Sequence, residues 1–241
     1  MYRTSNPALS DKAFDSAPSL GITDAMTIQG TVNKTFILLF LCVLTAGWSW
    51  GNPQALAMMM PAVIVGFVVA IVTVFKKEWA AVTAPIYALV EGVILGAISS
   101  YFEVVYPGIV SSAVILTFGT LFCLLAAYKS GLIRATENFK LGIFAATGAI
   151  ALLYFVDIIM GFFGHRISII YASGPVGIIF SLVVVVIAAL NLVLDFDFIE
   201  RGSQQGAAKY MEWYGAFGLM VTLIWLYLEI LRLLAKLRRR N

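Results

Sequence analysis

The chain is poor in charge, cysteine and histidine, and each shortage excludes a class of protein. Charged residues make up 12% of the 241 residues, whereas ordinary soluble domains carry roughly 25%. Two cysteines, Cys42 and Cys123, are too few for a disulfide framework or a zinc site, and we interpret both as packing residues. The single histidine, His165, cannot build a histidine-based metal site. We therefore expect no cofactor and no firmly bound metal.

Motifs of enzymes and nucleic-acid-binding proteins are also missing. The sequence has no HExxH, no Walker loop and no GxGxxG, the short patterns that predict metalloproteases and nucleotide-binding sites. The net charge is only +3, and no basic patch alternates with aromatic residues as nucleic-acid binding requires. We expect a protein that is not an enzyme and does not bind nucleic acid.

Long apolar runs dominate what is present. Hydrophobic residues make up 61% of the chain and the mean hydropathy is +0.94, so the solvent that suits this chain is lipid. A spanning helix needs about 20 apolar residues. We predict an all-α membrane protein with seven transmembrane helices at residues 33–50, 57–75, 83–103, 109–128, 139–163, 175–197 and 213–235, a polar tail at 1–32 and a basic tail at 236–241.

Lysine and arginine in the short connections predict the orientation. They occur in the N-terminal tail and in the second-to-third, fourth-to-fifth and sixth-to-seventh connections, while the other connections together carry only Arg166. Because cytoplasmic loops carry the excess of basic residues, we expect a cytoplasmic N-terminus. The basic residues after 235 do not fit this rule, because seven crossings place them on the non-cytoplasmic side of the membrane. The seventh segment is therefore either a full span or a re-entrant hairpin buried by protein.

Small residues at helical spacing predict where helices approach closely. Gly92 and Gly96 form a GxxxG pattern in the third span, and Gly142 with Ala146 forms a similar pair in the fifth. Such positions let two helix backbones come together in a membrane.

The residues that indicate function are acids inside the apolar spans. An ionised side chain at the middle of a membrane helix costs about 2.5–3.5 kcal/mol on insertion scales, so each acid must be paired, protonated, hydrated or functional. Two acids that share a site of low dielectric cannot both ionise, and carboxylates are the ligands that calcium prefers. Acids lining a bundle therefore indicate cation permeation, proton coupling or both. They are Glu91, Asp157, Asp195, Asp197 and Glu229, with Arg232 one turn beyond Glu229 as a possible partner.

Several segments resemble the Bax inhibitor-1 family of transmembrane proteins, in its bacterial branch. The resemblance runs from Asn33 to Leu234, and the segments that carry it are residues 88–96, 188–197 and 226–229 with Arg232, joined by residues 6–9 and 30–34. It implies six helices around a central seventh, a bacterial inner membrane, and a pH-sensitive calcium leak channel.

The resemblance also implies a pH sensor made of one acid on the sixth helix and one on the seventh. By position these are Asp195 and Glu229, the second a glutamate where the family has aspartate, and calcium would bind transiently at the same pair. A basic residue at the end of the second helix partners the sensor in some members, and Lys76 and Lys77 are the nearest matches. Other possible members of the pore or network are Glu91, Asp157, Asp197 and Arg232.

A different pairing of the acids stays open. At a rise of about 1.5 Å per residue, Glu229 lies about 24 Å along the seventh span, whereas Asp195 lies near the cytoplasmic end of the sixth. On that count Asp195 faces Glu91 and Glu229 faces Asp157.

The leading hypothesis is thus a calcium leak channel in a lipid bilayer, gated by protonation of Asp195 and Glu229. One alternative is a proton-coupled transporter that uses the same acids, although the sequence shows no obvious inverted repeat. Another is a non-catalytic regulator that binds other membrane proteins, although the residues identify no protein partner and the short loops offer one little surface.

Overall fold

The computed structural model describes residues 25–240, so residues 1–24 of the polar tail predicted for 1–32 lie outside the described residues. Its seven long helices are α1 (Ile28–Ser49), α2 (Pro53–Phe75), α3 (Ala80–Val105), α4 (Ile109–Lys129), α5 (Glu137–Phe162), α6 (Pro175–Gln204) and α7 (Met211–Arg240). A 3-10 turn, Lys77–Trp79, precedes α3, and a single helical turn, Ser168–Tyr171, precedes α6. Within residues 25–240, extended pairing is limited to an isolated bridge between Ala25 and Ala208.

All seven helices are long and apolar enough to cross a membrane. This confirms the prediction of an all-α membrane protein with seven spans. The helices differ in how much of their apolar segment lies inside the protein: 67% of that segment in α7 is buried, but only 11% of that in α2. Helix α2 therefore offers most of its side chains to lipid.

The helices extend beyond the predicted spans at several ends. Helix α1 begins at Ile28, because the Thr27 hydroxyl caps it by accepting a hydrogen bond from the Gly30 amide at 2.9 Å. Helix α6 continues to Gln204 rather than ending at 197, and α7 continues to Arg240, so residues 236–240 are helical. Hydropathy detects only the apolar part of a helix, whereas Glu, Gln, Lys and Arg continue it into polar sequence.

Helix α7 is one continuous helix of 30 residues. A re-entrant hairpin needs a break near its middle, and none interrupts residues 211–240. Of the two alternatives left by the sequence, the fold has the full-length helix.

The chain divides into two compact units, and α6 and α7 contribute to both. The first unit comprises residues 108–194 and 222–240, and the second comprises residues 25–107 and 195–221. In the second unit α3 lies directly against α1. A Cβ atom added at Gly92 would overlap the carbonyl oxygen of Cys42, and one added at Gly96 would overlap that of Ala46. The close approach predicted from the GxxxG pattern is confirmed.

Two predictions about packing are wrong. A Cβ atom at Gly142 would meet no atom within 4 Å, so this face of α5 does not approach another helix closely. Cys42 is buried as expected, but Cys123 is exposed. Its side chain projects from the lipid-facing surface of α4 rather than into a core, which hydropathy alone cannot distinguish.

Candidate functional site

Glu229 of α7 is the centre of a buried polar cluster in the first unit. Its exposure is 2%. The Tyr154 hydroxyl on α5 donates to Glu229 Oε1 at 3.0 Å. Arg232 donates from one guanidinium nitrogen to both carboxylate oxygens, at 2.9 and 3.1 Å, and to the Tyr154 hydroxyl at 2.7 Å. The pairing of Glu229 with Arg232 is the one that helical spacing offers, and Tyr154 joins it from another helix.

Asp157 of α5, also in the first unit, binds the loop that connects α5 to α6. Its carboxylate accepts hydrogen bonds from the Tyr171 hydroxyl at 2.6 Å, the Ile167 amide at 2.8 Å and Arg166 at 3.2 Å. The hydrogen bond that the Tyr171 hydroxyl donates to Asp157 raises the pKa of the Tyr171 phenol. The cluster fixes the loop, because it ties the loop backbone and two loop side chains to one helix.

Glu229 and Asp157 therefore bind different partners. Tyr154 lies three residues before Asp157, so the two clusters occupy neighbouring turns of α5. Each carboxylate has its own arginine, Arg232 for Glu229 and Arg166 for Asp157. Each acid is thus paired with an arginine, and no described hydrogen bond joins the two carboxylates to each other.

Asp195 and Asp197 belong to α6 in the second unit and differ in exposure. Asp195 is fully buried, at 0%. Because α6 continues to Gln204, Asp195 lies about 13 Å inside the helix rather than at its end. Asp197 turns to the more open side of the helix, where its carboxylate pairs with Arg201 at 2.7 Å. Of the two acids, only Asp195 has the burial that a protonation-sensitive group requires.

Glu91 lies midway along α3 in the second unit and is half-buried. It accepts a hydrogen bond from Tyr87, one turn earlier on the same helix. Its Oε1 atom also lies 3.5 Å from where a Cβ atom at Gly66 of α2 would sit.

Lys76 is exposed at the C-cap of α2, and the Lys77 ammonium lies 6.0 Å from the centre of the Tyr214 ring.

Glu212 was not anticipated as a functional residue, yet it is a fully buried acid with several bonds in the second unit. Its exposure is 0%. It pairs with Lys34 of α1 and with Lys209 at 2.8 Å. The Thr27 amide and hydroxyl donate to it at 2.9 and 2.8 Å. Sequence carries part of this signal, because Lys209 lies one turn earlier and an acid favours the first turn of a helix. The sequence does not indicate the other partners, Thr27 and Lys34, because they are far from Glu212 along the chain.

The pentapeptide 47–51 matches the GxSxG pattern of serine hydrolases. That pattern works at a strand-to-helix turn that exposes the serine. Here Ser49 ends α1, is 1% exposed, and donates to the Ala46 carbonyl at 3.2 Å. The match therefore lacks the context that would make it a nucleophile.

These clusters carry charge, and protonation of a carboxylate changes that charge. Across residues 25–240, no group of three or more His, Cys, Asp or Glu side chains is placed to hold a metal ion. The carboxylates of Asp157, Glu212 and Glu229 accept hydrogen bonds from arginine, lysine, tyrosine and threonine donors. Protonation of such a carboxylate removes its ion pair and weakens the hydrogen bonds that its donors make to it.

Seven apolar helices with buried, paired carboxylates define a multi-pass integral membrane protein. A family model described as Bax inhibitor 1 like matches residues 6–239, nearly the whole chain. The chain therefore belongs to the Bax inhibitor 1 like family. No curated protein and no solved structure matched it.

Proposed function

We propose that this protein is a pH-sensitive calcium leak channel, gated by protonation of Asp195 and Glu229. The observation that carries the proposal is the state of Glu229. It is a side chain with 2% exposure in a membrane-spanning helix, and its protonation removes the ion pair with Arg232. The family to which the chain belongs supports the same function.

Gating follows from the bonds of Glu229. While it is ionised, Arg232 and the Tyr154 hydroxyl tie α7 to α5 through it. A proton on Glu229 cancels the charge that Arg232 pairs with. Charge-assisted hydrogen bonds of this kind are worth about 1.5–3 kcal/mol, which matches the few kcal/mol that separate populated conformations. Acidification then frees α7 to shift and opens the path.

Asp195 acts as the second titrating group on α6. It is fully buried, so a change in its charge is felt strongly by the groups around it. Calcium binds transiently at these two acids as it passes, because carboxyl oxygens are among the ligands that it prefers.

The protein acts in a bacterial inner membrane with its N-terminus in the cytoplasm. This orientation rests on the basic residues of alternate connections. Calcium is the ion that passes, protons gate its passage, and the lipid bilayer surrounds the helices.

Reconstitution into liposomes loaded with a calcium dye tests the proposal. We expect Asp195→Asn and Glu229→Gln to raise calcium flux at neutral pH and to flatten its pH dependence, because both mimic the protonated state. Glu78→Gln is the matched control, since Glu78 is an exposed acid in the turn before α3. Unchanged flux and pH dependence in both test variants would rule out this gating mechanism.

The helices themselves count against the transporter alternative. Secondary transporters bind substrate at interrupted helices, whereas each of the seven described spans is continuous. Flux that saturates with a small solute and requires a proton gradient would nevertheless favour a transporter. Crosslinked membrane-protein partners without any ion flux would favour a regulator.

A further inference from the structure

Three charged residues share one side of the C-terminal half of α7. Glu229, Arg232 and Lys236 follow one another at spacings of three and four residues, which places them in one stripe along the helix. Glu229 and Lys236 are both buried, at 2% and 6% exposure. Lys236 lies about 10 Å beyond Glu229 toward the C-terminus. A cation that enters at the C-terminal end of α7 and follows this stripe to Glu229 therefore passes Lys236.

The hydrogen bonds of Lys236 hold its ammonium group in one position, but their acceptors carry no negative charge. Its ammonium donates to the Gly177 carbonyl at 3.0 Å and to the Ser181 hydroxyl at 2.7 Å. The Phe180 ring lies 6.0 Å away. All three belong to the start of α6, and all are electrically neutral. The acid of the stripe, Glu229, is already paired with Arg232.

A buried ammonium whose hydrogen-bond acceptors are all neutral is costly and needs a reason. Charged side chains inside membrane segments are rare because of the cost of removing them from water. An apolar side chain would fill the same place between α6 and α7 at lower cost. The stripe, counted as one carboxylate and two cations, carries a net charge of +1, so the electrostatics of this end oppose the entry of cations.

We propose that Lys236 is a fixed-charge barrier that limits the cation leak and limits divalent cations more than monovalent ones. The inference rests on the proposed function, since a barrier needs a leak to restrict. Coulomb repulsion scales with the charge of the permeant ion. Removal of the barrier therefore changes the logarithm of the flux twice as much for calcium as for a monovalent ion. A threefold rise for a monovalent ion corresponds to about a ninefold rise for calcium.

Paired flux measurements in proteoliposomes test this ratio. Calcium and thallium fluxes are measured at one pH for the wild type, Lys236→Gln and Lys236→Arg. We expect Lys236→Gln to raise both fluxes, with the calcium increase close to the square of the thallium increase. Lys236→Arg retains the charge and should keep most of the barrier. Arg239→Gln is the matched control, because it removes one positive charge from an exposed position where solvent screens it.

The outcomes separate this inference from the proposed function. Equal increases for the two ions, or equal effects of Lys236→Gln and Lys236→Arg, would show a packing role and overturn the barrier. So would an unchanged leak in Lys236→Gln when the wild type leaks with the expected pH dependence. Absence of protein-dependent flux from all the variants, each folded by size-exclusion chromatography, would overturn the proposed function and the barrier with it.

Discussion

At the scale of single residues, the Tyr154 hydroxyl bonds both members of the Glu229–Arg232 pair. It donates to Glu229 and accepts from Arg232, so it stabilises the ionised pair. Tyr154→Phe keeps the ring beside Arg232 but removes both bonds. The ionised form of Glu229 then loses a donor, and we expect the midpoint of the flux to move to a higher pH.

Flux measured across a pH series checks this expectation. Tyr101→Phe serves as the control, because Tyr101 is 65% exposed on α3, and its profile should match the wild type. A Tyr154→Phe midpoint that stays with the wild type, or moves to lower pH, would contradict the role given to the hydroxyl.

Contacts between residues close together in the sequence could be predicted, whereas contacts between distant residues could not. The pairing of Glu229 with Arg232 follows from a spacing of three residues on one helix, so the sequence indicates it directly. Tyr154 and Ser181 lie in apolar runs 75 and 55 residues from their partners. Nothing local marks them. Which side of a second helix meets an acid depends on packing, and periodicity in one helix does not contain that information.

At the scale of helices, the contact between α1 and α3 depends on two missing side chains. A Cβ atom at Gly92 would overlap the hydroxyl of Thr45 and the carbonyl oxygen of Cys42. The carbonyl is backbone and cannot rotate away. We expect Gly92→Ala to lower the free energy of unfolding by about 1–3 kcal/mol, the usual cost of overpacking.

Thermal unfolding in detergent, followed by tryptophan fluorescence, measures this loss. Gly119→Ala is the matched control on α4, because a Cβ atom there meets no atom within 4 Å. Alanine also favours a helix over glycine by up to about 1 kcal/mol, so Gly119→Ala should be neutral or stabilising. Equal melting temperatures for the two variants would refute the close contact.

The helices were predicted well in number and less well in extent. Apolar runs identify the part of each helix that lies in lipid, which is why seven were found. They do not identify the polar turns at the ends, such as residues 198–204 of α6. That extension matters for function, because it moves Asp195 from the end of a helix to its interior.

At the scale of the whole molecule, an odd number of spans places the two ends of the chain on opposite faces of the membrane. The basic residues near the C-terminus favour the cytoplasm, so they oppose this topology. The structure favours seven crossings, because α7 is unbroken. Moreover, the contact of Lys236 with Gly177 and Ser181 sets the last turns of α7 beside the first turns of α6. We therefore predict that the C-terminus is outside while the N-terminus is cytoplasmic.

Labelling of single cysteines in intact cells with a membrane-impermeant maleimide measures the topology, after replacement of Cys42 and Cys123 by alanine. Arg239→Cys reports on the last turn of α7, His165→Cys on the connection after α5, and Ser130→Cys on the connection after α4, all at exposed positions. The two connections lie at opposite ends of α5, so they provide controls for the two faces. Arg239→Cys should label in intact cells as His165→Cys does, while Ser130→Cys should label only after permeabilisation. If Arg239→Cys instead behaved like Ser130→Cys, α7 would not cross the membrane, and the path along its charged stripe would need another geometry.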